Sequence, residues 1–234
     1  MSEYATWKSW EKESFGKPTL DEVARYKIEL KKSGFIINNE ASVLEIGFGN
    51  GGFLAYARKS SKNIIGVELN DQLIELANEA GFHAIHYSNF SKLKKCNYDL
   101  IVAFDVLEHV DKLDVIQFIS SVKGLLKPGG TFIARVPNGD SPFSMVNQNG
   151  DLTHKISIGS ELIKYFASYV GFNIVYIGKS AQPILNVPSI YAVQRIFSLP
   201  FKFFLDFFVR LIFLPRCNTS FSSTNLTFVF RNPL

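Results

Sequence analysis

The sequence predicts an α/β fold with a doubly wound, mostly parallel sheet. From residue 42 onwards, short apolar runs alternate with segments of helical periodicity. The runs "SVLEIG", "NIIGVE" and "YDLIVAF" are almost wholly apolar, which is typical of parallel strands that helices cover on both faces. With 234 residues, 47% of them hydrophobic, the chain is long enough for one sizeable core.

The predicted elements divide the chain into three regions. Residues 1–40 are expected to form a helical prefix or lid. Residues 41–183 and 222–234 are expected to form the core, whose last two strands are "NIVYIG" and "NLTFVF". Residues 184–221, between these two strands, are expected to form a phenylalanine-rich helical insertion.

Charge and cysteine content argue against several classes of function. The formal net charge is +4, and acidic residues are interspersed among the basic ones, so we expect no nucleic-acid partner. Cys96 and Cys217 have neither the spacing of a metal site nor that of a disulfide framework, and we expect no bound metal. The N-terminal segment "MSEYATWKSWEKES" lacks the apolar stretch of a signal peptide, which favours a cytoplasmic location.

The segment "VLEIGFGNGG" ends an apolar strand in a glycine turn and carries one acid. Gly47, Gly49 and Gly52 fit the dinucleotide pattern G-x-G-x-x-G, which is a weak signal by itself. Glu45 would repel the pyrophosphate of a dinucleotide but attract an ammonium or sulfonium group, so it favours a cationic cofactor. Glu68 ends the next strand, about 20 residues beyond the glycines, where a carboxylate can accept both hydroxyls of a ribose.

A third polar cluster follows the strand "YDLIVAF". This strand ends at Phe104 and Asp105, and the chain then turns outward with Glu108 and His109. Ligands of doubly wound folds bind at the carboxyl ends of the parallel strands. The glycine turn, Glu68 and this third cluster are therefore expected to meet at one edge of the sheet.

Four segments in this order, "VLEIGFGNGG", "GVEL", "YDLIVAFDVLEHV" and "LLKPGGTFIARVPN", resemble the successive motifs of class I S-adenosylmethionine-dependent methyltransferases. The resemblance covers roughly residues 42–138. It implies a Rossmann-like sheet of seven strands with an antiparallel last strand, and S-adenosyl-L-methionine as cofactor. The cofactor contacts that it implies are Glu45, Gly47, Phe48, Gly49 and Gly51 at the methionine end, Glu68 and Leu69 at the ribose, Ser88, Asn89 and Phe90 at the adenine, and Phe104, Asp105 and Val106 after the fourth strand.

Two histidines are candidates for acid–base catalysis. Methyl transfer from a sulfonium depends mainly on alignment of the acceptor, and a general base helps where the acceptor is a hydroxyl. His109 follows the fourth strand, and His154 lies in the loop after the fifth strand, where the resemblance implies acceptor contacts. Each also has a structural interpretation, His109 as a helix-start residue and His154 as a loop or capping residue. His83 and His86 lie in the third predicted strand and are expected to be structural.

The segments "EHV" and "DLTH", with the helix that follows them, are similar to small-molecule methyltransferases that act on sugars or glycan precursors of polysaccharide biosynthesis. This similarity predicts transfer to a hydroxyl or amine of a small-molecule acceptor, with a sugar or a lipid-linked glycan as the leading hypothesis. Trp7, Trp10, Phe15 and Tyr26 either stack on such an acceptor or pack in the core. The alternative function is a non-catalytic protein that binds S-adenosylmethionine and uses the insertion for partner contact.

The insertion contains a long apolar segment, residues 190–214, that charged residues interrupt. On a helical wheel its four charged residues fall within about 80° of one another: Arg195, Lys202, Asp206 and Arg210. The pattern predicts a pair of amphipathic helices kinked at Pro200, with an ion-pair row along the charged face, and argues against a simple membrane span. Three interpretations stay open: a cap over the acceptor pocket, a homodimer surface, or a peripheral contact with the inner face of a membrane, in which the basic residues face lipid headgroups.

Overall fold

The computed structural model describes residues 12–215 and 220–234, so Trp7, Trp10 and Cys217 lie outside the described residues. Its strands are β1 (Val43–Ile46), β2 (Ile64–Glu68), β3 (His83–His86), β4 (Tyr98–Phe104), β5 (Leu126–Pro137), β6 (Asn173–Lys179) and β7 (Asn225–Arg231). They form one sheet in the order β3-β2-β1-β4-β5-β7-β6. The pairs from β3 to β5 are parallel, whereas β7 runs antiparallel to both β5 and β6. The predicted doubly wound sheet with an antiparallel last strand is confirmed.

Helices cover both faces of this sheet. They are α1 (Leu20–Ser33), α2 (Gly52–Arg58), α3 (Asp71–Glu79), α4 (Val115–Leu125), α5 (Met145–Asn149), α6 (Ser160–Val170) and α7 (Ser189–Ile212). Every residue of β1 is buried, because its alternate side chains enter two different cores. Leu44 and Ile46 pack with α4 and α6, and Val43 packs on the opposite face with α1, α2 and α3.

The first helix packs into this core. α1 begins after Thr19, which forms a capping box with Glu22, and ends at a left-handed Gly34. Its Glu29 is buried and accepts a hydrogen bond of 2.9 Å from Thr227 Oγ1 of β7. The Tyr26 ring lies 5.3 Å, centroid to centroid, from the ring of Phe53 in α2. These contacts anchor α1 to the sheet and to α2.

The insertion forms one continuous helix, α7, which contains Pro200 in its interior. The prediction of a helix pair is therefore wrong. Among the described residues, no helix combines the length and the apolarity that crossing a bilayer requires.

The charged side chains of α7 contact the rest of the protein, and this corrects the expected ion-pair row. Asp206 lies at 2.9 Å from Lys179 Nζ, Arg195 at 2.7 Å from Asp21, and Lys202 donates to Gln182 at 3.0 Å. The polar stripe of the helix thus faces the body of the protein.

Candidate functional site

A cavity of about 1380 Å³ lies at the carboxyl edge of the parallel strands. Residues 45–50 follow β1 into its lining, residues 67–70 follow β2, and residues 104–106 follow β4. The three polar clusters that the sequence places at one edge therefore line one cavity. Among the described residues, α7 contributes none to this lining.

Glu45 is the acid of the first strand, and it is 4% exposed. Among the described residues, nothing hydrogen-bonds its Oε2 atom. Burial raises the pKa of the Glu45 carboxyl well above its usual range, and the negative charge of Glu68 adds to this effect. A buried acceptor of this kind can bind a cationic ligand group, which would supply the missing partner.

The glycine turn after β1 brings the backbone close to the cavity. Gly47 has a φ of 68°, and a Cβ atom at this residue would lie 2.5 Å from Val106 Cγ2. Gly47, Phe48 and Gly49 line the cavity as predicted, but Gly51 does not. Gly51 is the N-cap of α2, and a Cβ atom there would lie 2.7 Å from the ring of Phe15. Its role in this structure is to let Phe15 pack against the turn.

At the position predicted for the ribose, backbone amides hold the Glu68 carboxylate in place. The Glu68 carboxylate accepts hydrogen bonds from Gly49 N at 3.1 Å and Leu69 N at 2.7 Å. Asn70 N donates a further hydrogen bond to the carboxylate at 3.4 Å, on the same oxygen as Leu69 N. These bonds fix the orientation of the carboxylate, and its other oxygen keeps a lone pair for a ligand hydroxyl. His86 has the structural role expected of it, because its ring bridges Ser88 and the Leu69 carbonyl oxygen.

Only some of the residues predicted to contact the adenine line the cavity. Ser88 and Phe90 line it, together with Tyr87 and Ser91, which the sequence analysis missed. Asn89 is absent from the lining, and its Oδ1 accepts a hydrogen bond of 2.9 Å from Lys92 Nζ. The short 3₁₀ helix Tyr87–Lys92 explains the error, because its turn sends neighbouring side chains in different directions.

Phe104, Asp105 and Val106 follow β4 into the cavity. Asp105 has a positive φ of 58°, and its carboxylate accepts two hydrogen bonds from the guanidinium of Arg135, one of them from Nε at 2.9 Å. Burial opposes the charge on Arg135, but Asp105 more than offsets it, so the pKa of Arg135 is raised. Asp105 is thus paired with a cation of the protein itself. The sequence signal for this partner was Arg135, a single arginine near the end of an otherwise apolar strand.

His109 and His154 are brought together, with their ring centroids 4.7 Å apart. The loop that carries His154 is held against the turn that carries His109, because Lys155 N donates to the Glu108 carbonyl oxygen at 2.7 Å. Glu108 is buried beside them, and the ligating atoms of these three side chains lie within 4.8 Å of one another, a set that could also hold a divalent cation.

Hydrogen bonds assign the tautomers of both histidines. Thr153 Oγ1 donates to Asp151 Oδ1 at 2.5 Å, so it accepts the hydrogen bond of 2.8 Å from Nδ1 of His109. His154 Nδ1 lies 2.9 Å from the Gln148 carbonyl oxygen, which can only accept. In the neutral form, each ring therefore carries its lone pair on Nε2, which is the atom a general base needs.

Several lining residues were missed because they come from elements distant in sequence. Glu22 reaches the cavity from α1, and Arg135 reaches it from β5. Tyr26 of α1, which was expected either to stack on an acceptor or to pack in the core, lines the cavity as well. Asp151 precedes His154 by three residues in "GDLTH", and this spacing was the available signal for its part in the hydrogen-bond chain.

We expect Gly47→Ala to destabilise the protein by about 1–3 kcal/mol, because alanine is strained at a positive φ and its Cβ atom would clash with Val106. Urea denaturation measures the change. Val106→Ala in the same chain should restore part of the loss, since it removes the clash. Gly124→Ala is the control: this glycine lies in α4, no atom lies within 4 Å of its Cβ position, and stability should stay equal or rise. Equal losses for the two alanine variants would contradict the steric argument.

The lining residues fit the cofactor that the sequence resemblance implies. S-adenosylmethionine carries an ammonium and a sulfonium group, which suit the buried Glu45, and a ribose, which suits Glu68. The absence of a Cβ atom at Gly47 allows close approach of the amino-acid tail.

Comparison with known proteins supports this assignment. A family model described as "Methyltransferase domain" matches residues 20–177. A SAM-dependent methyltransferase from Archaeoglobus fulgidus is similar in structure, with a TM-score of 0.62, 21% identity, and coverage of 88% of this chain and 94% of that one. One from Mesorhizobium loti has a TM-score of 0.65 at 14% identity, with 91% and 99% covered.

The same fold also occurs in the [4+2]-cyclase SpnF, with a TM-score of 0.58, 13% identity, and 94% and 84% of the two chains covered. No curated protein matches the chain by sequence. At these identities the solved structures establish the fold, whereas the family model covers more than half of the chain. The chain therefore belongs to the methyltransferase-domain family.

Proposed function

We propose that this protein transfers the methyl group of S-adenosylmethionine to a hydroxyl or amine of a small molecule. The observation that carries the proposal is the continuity of one cavity, which joins Glu45 and Glu68 to the pair formed by His109 and His154. A cofactor at the first two residues and an acceptor at the histidines would share one cavity.

The chain's own residues would position the reactants and accept a proton. S-adenosylmethionine, when bound, supplies a methyl group on a positively charged sulfur, which an acceptor oxygen or nitrogen displaces in line. Glu45 would hold its ammonium group, and the glycine turn would hold the tail close to β1. Nε2 of His109 would take the proton of an acceptor hydroxyl, while the chain from His109 through Thr153 to Asp151 stabilises the charged ring. His154 is the second candidate for this role.

The charges around the cavity favour a neutral or cationic acceptor. Of the described lining residues, eight are acidic and two, Arg135 and Lys155, are lysine or arginine. Asp105 binds Arg135, and Asp111 binds Lys155 at 2.7 Å, so neither cation faces an acceptor alone. A phosphate-bearing acceptor would meet net repulsion here. This supports an unphosphorylated sugar, an unphosphorylated glycan precursor or an amine.

The direct test is product detection. The protein is incubated with S-adenosylmethionine and a panel of neutral sugars, amino sugars, small amines and nucleotide sugars, and mass spectrometry identifies any compound that gains one methyl group. We expect a product among the first three classes. Methylation of nucleotide sugars alone would contradict the acceptor class, and the absence of any product would favour the second candidate function.

That second candidate is a non-catalytic protein that binds the cofactor and contacts a partner through α7. The large exposed apolar surface of this helix favours it. Calorimetric binding of S-adenosylhomocysteine without turnover of any acceptor would be its signature.

A further inference from the structure

The orientation of α7 is the reverse of that expected for a surface helix. Of its 24 residues, only Asp206 is buried. Its large apolar side chains are each about half to three quarters exposed: Ile190, Tyr191, Val193, Ile196, Phe197, Leu199, Phe201, Phe203, Phe204, Phe207, Phe208, Leu211 and Ile212. The helix thus presents to solvent the kind of surface that a core helix hides.

The apolar side chains form one continuous face. At about 100° per residue, the exposed apolar positions from Phe203 round to Ile212 span about 180° of the helix, and no charged residue falls within this arc. With a rise of about 1.5 Å per residue, the face is about 36 Å long. Leu185, Phe213 and Leu214, which flank the helix, are exposed as well and extend it.

The polar stripe is fixed to the protein by specific contacts, so the apolar face cannot turn inward without breaking them. Asp206 accepts hydrogen bonds from Ser222 N at 2.8 Å and Ser220 Oγ at 2.8 Å, in addition to its ion pair with Lys179. Arg195 bridges to Asp21 at the start of α1. The outward direction of the phenylalanines is therefore built into the packing of α7.

A groove of about 840 Å³ lies between α7 and the body and carries positive charge. Lys179, Lys202 and Arg210 line it, with Asp206 as the only acid among its described lining residues. Burial lowers the pKa of Lys202, and the neighbouring charges of Lys179 and Arg195 lower it further, as expected where the local potential is positive. Leu199, Phe203, Phe207 and Leu211 form the apolar part of the groove.

We propose that α7 binds the surface of a bilayer that contains anionic phospholipids. With the apolar arc buried at the boundary between headgroups and acyl chains, the groove cations lie about one helix diameter higher, at the depth of the lipid phosphates. Anionic headgroups complement these cations. A two-fold contact with a second copy through the apolar arc would provide no anionic group for these cations, because they lie on the opposite side of each helix.

A short segment connects α7 to the lining of the cavity. Ser222, which holds Asp206, lies three residues before Asn225, and Asn225 lines the cavity at the start of β7. A membrane-bound α7 would therefore hold the cavity close to the bilayer. The lipid contact itself does not depend on the proposed function, because it needs neither cofactor nor acceptor.

Vesicle flotation tests the proposal. The full chain is mixed with vesicles of phosphatidylcholine alone or of phosphatidylcholine with phosphatidylglycerol, at low and high salt. We expect partition into the mixed vesicles that weakens with salt and is lower on the neutral ones. A variant with Phe197, Phe201, Phe204 and Phe208 all changed to serine should bind the mixed vesicles about 100-fold less, because all four rings lie in the exposed arc.

The control variant changes Ile36, Leu113 and Leu234 to serine, three exposed apolar residues outside α7. It should bind vesicles as the unchanged protein does. Circular dichroism and urea denaturation should show both variants to be folded, since none of the changed side chains is buried. The proposal is overturned by no partition into mixed vesicles, by equal loss in the control variant, or by light scattering that shows a dimer abolished by the four serines while vesicle binding is absent.

Discussion

We expect Glu45→Gln to weaken binding of S-adenosylhomocysteine by about 10- to 100-fold, which corresponds to about 1.5–3 kcal/mol. Glutamine keeps the shape of the side chain but removes the negative charge, so the ammonium group of the ligand loses its charge-assisted hydrogen bond. Titration calorimetry measures the change. Because Glu45 lies in the cavity and its Oε2 accepts no hydrogen bond from the described residues, little else in the site should move.

A second ligand makes the test specific to the amino-acid tail. Methylthioadenosine carries the nucleoside without the ammonium group, so its affinity should be the same for the unchanged protein and for Glu45→Gln. The matched control is Glu161→Gln, an exposed acid on α6, which should leave both affinities unchanged. Equal weakening of both ligands by Glu45→Gln would contradict the assignment of Glu45 to the tail.

The raised pKa of Glu45 makes binding and stability depend on pH. The folded protein holds the Glu45 proton above the usual pKa of 4.5, so the folded state binds more protons than the unfolded state, and stability falls as pH rises from that value towards the folded pKa. Glutamine does not titrate, so Glu45→Gln does not lose stability in this way as pH rises. Urea midpoints should therefore show the variant to be more stable, relative to the unchanged protein, at pH 8 than at pH 5. Binding of a cationic ligand should release a proton, which calorimetry in buffers of different ionisation enthalpy detects.

We expect His109→Gln to lower kcat by about 100-fold or more with a hydroxyl acceptor, while the affinity for S-adenosylhomocysteine changes by less than about twofold. The glutamine amide can occupy the position of Nε2 but cannot accept a proton. Steady-state kinetics and calorimetry on the same preparation separate catalysis from cofactor binding.

His83→Gln is the control, because His83 is exposed on the edge strand β3. The activity of this variant should equal that of the unchanged protein. His154→Gln tests the second candidate base. If His109→Gln retains full kcat while His154→Gln does not, the roles are exchanged. Activity that EDTA abolishes and a divalent cation restores would contradict proton transfer to His109 and favour metal binding by the trio of Glu108, His109 and His154.

Local patterns in the sequence were sufficient to predict much of the cavity lining that is proposed to bind the cofactor. Glu45, Gly47, Gly49 and Glu68 are placed by the ends of two strands and by a turn that only glycine tolerates, and these features are encoded within about 25 residues. The parallel sheet then brings them together, because all its parallel strands end at one edge. Asn89 was misplaced because the direction of a side chain in a short 3₁₀ helix depends on a single turn.

The acceptor side depended on contacts between segments distant in sequence. The pairing of His109 with His154 requires the loop after β5 to bind the Glu108 backbone, and the engagement of Asp105 requires Arg135 from the neighbouring strand. Neither contact has a periodic signal in the chain. The sequence could name both histidines but not their tautomers, which the partners of their Nδ1 atoms assign.

The insertion shows most clearly which features the sequence alone does not predict. Its periodicity predicted amphipathic helical structure and which residues share each face, although it predicted a pair of helices where the structure has one. Only the tertiary structure decided which face points outward, because that depends on Asp21, Lys179 and the serines 220–222, which bind the charged stripe. Periodicity sets the faces of a helix within one segment, whereas orientation is set by partners elsewhere in the chain.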